Sequence, residues 1–81
     1  MIRATVLVRL KAEVLDPQGD AVRRALGKLE FEGVGRVRVG KLIEIELEDD
    51  GDLEPRLEKM ADALLANPVT EDFEVKVDRA G

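Results

Sequence analysis

The reactive side chains in this sequence are carboxylates, lysines, arginines and the hydroxyls of Thr5 and Thr70. Histidine, cysteine, serine, tyrosine and tryptophan are absent. That removes the common general bases near neutral pH and the usual nucleophiles, together with imidazole and thiolate ligands for a metal. Acid–base work is left to carboxylate pairs, whose pKa values an enzyme can drive apart through their surroundings. The candidates are Glu44, Glu46 and Glu48, which share one strand face, and Asp49, Asp50 and Asp52, which share a turn. Both groups read as solvated charged surface, the ordinary place for such residues.

A phosphate-binding loop is the next chemistry to weigh. Gly35-Arg36-Val37-Arg38-Val39-Gly40-Lys41-Leu42 nearly matches the pattern of glycine, four residues, glycine, lysine and a hydroxyl residue. The match fails at Leu42, which has no hydroxyl for magnesium, and the segment alternates like a strand rather than looping into a helix. Arg36, Arg38 and Lys41 nevertheless form a basic cluster in an acidic chain. Two readings of it stand. One is cross-strand pairing with glutamates, each pair contributing at most about 1 kcal/mol. The other is a docking patch for an acidic partner, where such charges steer encounter and set specificity.

The elements that must position these groups follow from periodicity. In residues 2–10, Ile2, Ala4, Val6, Val8 and Leu10 share one face of a strand, and Leu7 is the apolar exception on the other. Asp16-Pro17 is a helix start, with Asp16 as cap and Pro17 at the first helical position. Val22, Ala25, Leu26 and Leu29 continue as a helical stripe ending near Glu30. Gly19 and Gly27 weaken that helix by up to about 1 kcal/mol each relative to alanine. In residues 34–48 an odd-numbered apolar face (Val37, Val39, Ile43, Ile45, Leu47) keeps its phase across Gly40-Lys41. Either this is one long strand, bent at Gly40 by a bulge or a close backbone approach, or Gly40-Lys41 is a hairpin turn. A single strand of about fifteen residues would span roughly 50 Å, against about 22 Å for the first helix. It would overrun its own domain and need a second chain to pair its free end.

Asp50 or Asp52 caps a second helix with the stripe Leu53, Leu57, Met60, Ala61, Leu64 and Leu65. Asn67-Pro68 stops it, because a residue before proline avoids helical geometry. A last strand over residues 70–77 places Phe73, Val75 and Val77 on one face, and a tail from Asp78 to Gly81 should fray. The expected architecture is α+β: a mainly antiparallel sheet with two helices on one face, in one domain covering residues 1–81.

The bulk numbers exclude several partners. Net charge is −5, from 13 basic and 18 acidic residues, where nucleic-acid binding calls for a basic surplus. No apolar run approaches the roughly 20 residues of a membrane span, and the N-terminus lacks a secretory signal pattern. The reading is a cytoplasmic protein that binds neither nucleic acid nor membrane. With 81 residues, no cysteine and Phe31 and Phe73 as the only aromatics, the core is aliphatic and small, which makes a dimer interface an attractive source of further burial.

Three segments carry a family likeness: Val14-Leu15-Asp16-Pro17-Gln18-Gly19 followed by Ala21-Val22; Val37-Arg38-Val39-Gly40-Lys41 leading into Ile43-Glu44; and Met60 with Leu64-Leu65-Ala66-Asn67-Pro68-Val69 and Glu71-Asp72-Phe73. In this order and spacing the chain resembles the PurS family of phosphoribosylformylglycinamidine (FGAM) synthase subunits over nearly its whole length. It departs from the family at Lys11-Ala12-Glu13, where Lys-Pro-Gly is frequent, at Glu30, where glycine is common, and at Phe73, where tyrosine is. The resemblance implies a PurS-like fold related to the ferredoxin-like one, a homodimer or higher oligomer, and a non-catalytic role in de novo purine biosynthesis. It implies a bridge between a large synthetase subunit and a glutaminase subunit that supports ammonia transfer. ATP and magnesium would sit on the synthetase, with no cofactor on this chain. Arg36, Arg38, Gly40, Lys41, Ile43, Asn67 and Pro68 are the residues expected at partner or dimer contacts. The alternative reading is a ferredoxin-like regulatory module that binds a small molecule.

Overall fold

The structure, a computed structural model, describes residues 1–78. Residues 79–81, most of the tail expected to fray, lie outside the described residues; Asp78 itself ends the last strand opposite Arg3. The chain runs β1 (Ile2–Leu10), α1 (Pro17–Lys28), β2 (Gly40–Leu47), α2 (Leu53–Met60), a five-residue π turn (Ala61–Leu65) and β3 (Glu71–Asp78). The sheet has the order β2-β1-β3, antiparallel throughout.

Alternation in β1 decides where the core lies. Ala4, Val6 and Val8 are buried on one face. Ala4 and Leu47 pack with Leu53 and Leu57 of α2. Val6 and Val8 pack with Ala61 and Ala66 at the two ends of the π turn. Burying Leu53 and Leu57 fully contributes roughly 1.5–3 kcal/mol each. On the opposite face Leu7 stands across from Leu42 and Glu74, Thr5 from Glu44 and Lys76, and Arg3 from Glu46. That face carries no helix, so the glutamates offered as candidate acid–base groups are exposed side chains on an open sheet surface.

Two points are decided: an alternative left open by the sequence, and the place of one apolar residue, which is corrected. Gly40 and Lys41 do not form a hairpin turn. Both lie in β2, opposite Arg9 and Val8, and the Val8 carbonyl oxygen is 2.5 Å from where a Gly40 Cβ would stand. The glycine marks a close backbone approach, and the same geometry removes any phosphate loop at this segment. The paired part of β2 is eight residues long; residues 34–39 precede it without entering the sheet. The second concerns Leu64. The i to i+5 hydrogen bond from the Ala66 amide to the Ala61 carbonyl, 2.8 Å, widens the last turn and moves the stripe round by one residue. Ala61 and Ala66 are thereby buried and Leu64 is left 84% exposed.

Within this single chain the expected cover of one sheet face is supplied by α2 and the π turn. Helix α1 buries only Gly19. Its apolar residue Val22 and its C-cap Leu29 are exposed, as are Phe31 and Val34 beyond its end. The molecule is accordingly elongated, 50 × 30 × 14 Å.

Candidate docking site

The sequence predicts Asp16 as a helix cap, and it is one: its Oδ1 accepts the Gly19 amide at 2.9 Å. The second carboxylate oxygen does something the periodicity did not announce. Oδ2 accepts the Val39 amide at 2.7 Å, from the residue that leads into β2. Asp16 is buried, and its pKa lies below the ordinary 3.8, chiefly through the Val39 amide, then the Gly19 amide, with the Arg38 charge adding to both. Gly19 is part of the same junction. A Cβ there would run into the Val37 carbonyl and stand 2.9 Å from Asp16 Oδ2. The signal available in the sequence was this glycine, placed inside a helix where alanine would be the better former.

The basic cluster lies beside this junction. Arg36 donates to the Ala12 carbonyl at 2.7 Å. Arg38 donates from Nη1 to the Val14 carbonyl and from Nη2 to the Lys11 carbonyl, both at 2.9 Å. Neither guanidinium pairs with a glutamate; both instead hold the loop of residues 11–14 by its carbonyls. Lys41 alone follows the ion-pair reading, 3.8 Å from Glu71, a surface contact of small energetic value. Ile43 packs against the Val6–Val8 part of the core.

Asn67 and Pro68 form the turn into β3. The Asn67 amide donates to Glu71 Oε1 at 2.7 Å, its side-chain oxygen accepts the Val69 amide at 3.0 Å, and its carbonyl accepts the Thr70 and Glu71 amides. The Thr70 carbonyl accepts the Lys11 amide, so this turn and the 11–14 loop stand side by side. Of the seven candidate residues, Ile43 lies mid-strand, opposite Val6; the other six gather at one end of the sheet, around the exit of β1 and the entries of β2 and β3. An open groove of about 390 Å³ runs there past Leu7, Arg9, Arg38, Gly40, Lys41 and Leu42.

Among the described residues no three carboxylates converge as a metal site, and no helix is long and apolar enough to cross a membrane. Asp49 and Asp50 are used locally, accepting the amides of Gly51 and Asp52, and Asp50 pairs with Arg56 at 2.8 Å.

Fold and junction together define a small α+β protein: three antiparallel strands with one helix packed on them, and a second helix clasped to a strand lead-in outside the core. Comparison with known proteins gives this class a family. Residues 3–79 match the PurS family model, described as phosphoribosylformylglycinamidine (FGAM) synthase, and the chain belongs to that family. It is 48% identical over 75 residues to the phosphoribosylformylglycinamidine synthase subunit PurS of Mycobacterium leprae, covering 93% of this chain and 94% of that protein. The structure of Bacillus subtilis PurS superposes with a TM-score of 0.89 at 42% identity, covering 98% of this chain and 100% of the other. A chain of the PurLQS structure from Thermotoga maritima gives a TM-score of 0.76 at 26% identity, over 95% of this chain and 96% of that one. PurS is a subunit of FGAM synthase in purine biosynthesis, which sets aside the regulatory-module alternative.

Proposed function

We propose that this chain serves FGAM synthase as a non-catalytic cytoplasmic subunit, pairing with a second copy and bridging the synthetase and glutaminase subunits so that ammonia passes between them. The observation that carries the proposal is the uncovered arm. The sheet and α2 complete a core by themselves, yet α1 with its apolar residues, and residues 34–39 with no strand partner, stand outside it. An exposed apolar helix face beside a chain segment leading into an edge strand is what a second protomer would cover. The charges are complementary in sign: the lead-in carries Arg36 and Arg38, and the far half of β2 carries Glu44 and Glu46. The sheet-end cluster of Gly40, Lys41, Asn67 and Pro68 then presents the surface for the other subunits, with Ile43 packed beneath it against the core.

The reactive groups belong to those partners. A glutaminase that uses a thiol nucleophile and an imidazole base needs residues this chain lacks. ATP and magnesium are bound by the synthetase, and this chain holds no cofactor. Its contribution is orientation: two active sites kept in register lose less of a diffusible intermediate. The test is a pull-down of synthetase and glutaminase subunits by this chain, with glutamine-dependent turnover measured with and without it. Capture of both subunits and turnover that needs the chain are expected. Turnover unchanged by its omission would refute the bridging role.

A further inference from the structure

Helix α1 reaches the rest of the molecule through very little. Gly19 is its only buried residue, and its apolar side chains give it no seat on the parent sheet. What fixes its direction is the junction at its first turn. One carboxylate divides its two oxygens between two segments, Oδ1 to the helix and Oδ2 to the strand lead-in. Both bonds are charge-assisted and short, the stronger kind. Gly19 lets the helix lie against the Val37 carbonyl where any side chain would push it away. Arg36 and Arg38 then tie the lead-in to the loop that delivers the chain from β1 into α1.

We infer that Asp16 is the positioning residue for subunit pairing: its carboxylate holds α1 and residues 36–39 as one rigid arm, aimed so that a second copy receives both at once. This deepens the pairing reading proposed above and rests on it. If the clasp opens, α1 and the lead-in move independently, and pairing must then order both. That ordering weakens association by the fraction of molecules in which the arm is set.

Asparagine at position 16 separates this role from helix capping. Asparagine caps a helix about as well as aspartate. It offers one acceptor oxygen, which the Gly19 amide can keep, and its NH2 group then faces the Val39 amide donor to donor. A cap alone therefore predicts that Asp16→Asn behaves like the parent while Asp16→Ala is weaker. A clasp predicts that the two variants are weakened alike.

The experiment measures the monomer–dimer equilibrium of the full chain by sedimentation, alongside circular dichroism, for the parent, Asp16→Asn, Asp16→Ala and Gly19→Ala. Gly19→Ala attacks the junction from the helix side and leaves the carboxylate in place. The expected result is a native spectrum with dimer dissociation constants raised about tenfold or more in all three variants, the scale of one lost charge-assisted hydrogen bond. Asp16→Asn pairing as tightly as the parent would overturn the clasp while leaving pairing itself intact. Loss of the folded spectrum in Asp16→Asn would also overturn it, because the core makes no use of Asp16. A parent chain that stays monomeric at every concentration would instead sink the pairing reading.

Discussion

Replacing Glu30 with glycine should make this protein more stable, and the size of the gain can be worked from the end of α1. Leu29 caps the helix, and two bonds close it: the Phe31 amide to the Leu26 carbonyl at 3.1 Å and the Glu30 amide to the Gly27 carbonyl at 3.0 Å. That bond pair is a Schellman ending, which needs a left-handed residue at the position Glu30 occupies. Glu30 adopts φ 69° and is the only non-glycine residue with positive φ among those described. A side chain there costs about 1–2 kcal/mol. Glycine relieves that cost but loses about 0.5–1 kcal/mol of extra chain freedom on folding, leaving a net gain of about 0.5–1 kcal/mol. For a domain of this size that raises the melting midpoint by roughly 3–6 °C.

A second effect has to be separated from the first. Glu30 also places a negative charge at the C-terminal end of a helix, where the dipole disfavours it by some tenths of a kcal/mol. Glu30→Ala removes the charge and keeps the Cβ, so it isolates that part. Thermal unfolding followed by circular dichroism, at one fixed protein concentration because self-association, where it occurs, shifts the midpoint, should rank Glu30→Gly above Glu30→Ala, with Glu30→Ala close to the parent. Equal midpoints for the glycine and alanine variants would refute the argument from backbone geometry.

Other expectations follow from the same structure. Leu57→Ala should cost about 2–5 kcal/mol in urea unfolding, since Leu57 is fully buried, whereas Leu64→Ala, two turns on in the same predicted stripe, should stay within about 0.5 kcal/mol. Gly40→Ala should destabilise by about 1–3 kcal/mol, because the added Cβ meets the Val8 carbonyl across the β1–β2 pair. The pH profile carries a sign as well. Asp16 and Asp50 both titrate below the ordinary 3.8, Asp16 held down first by the Val39 amide and Asp50 by the Asp52 amide. Their contribution is complete above that value and fades as pH falls through the lower folded values. The melting midpoint should therefore hold steady from neutral pH to about pH 4.5 and fall below it, less steeply in Asp16→Asn.

Strands, helices and the α+β class were legible because period-2 and period-3.6 patterns report burial directly: β1 and α2 bury the faces their patterns give, and β3 half-buries its own. The legibility ended where a patterned face finds no cover within the chain. The α1 stripe of Val22, Leu26 and Leu29 has the spacing of a core helix, yet periodicity states only that a face wants cover, not which molecule covers it. Leu64 was misplaced for a local reason: a π turn changes the residue count per turn without a marker in residue type. The unbroken apolar phase through Gly40 left hairpin and strand equally open, and only the register of Gly40 with Arg9 separated them. Asp16 was half legible. Its capping bond follows from Asp16-Pro17 alone, but the bond to Val39 joins residues 23 apart, beyond any local rule.

The division between what is buried and what is clasped bears on how such a chain acts. The core on α2 uses aliphatic contacts, which are non-directional and tolerate small shifts. The arm is held by directional bonds from Asp16, Arg36 and Arg38 to backbone groups, which fix an angle. A protein that only needed to fold would gain more by laying α1 on its own sheet and burying that stripe. Keeping the stripe outside, at a defined angle, gives up burial in the single chain, and on the pairing proposed above a second copy restores it. That arrangement suits the proposed work of holding other subunits in register, and on that proposal the sensitivity of pairing lies in the junction rather than in the core.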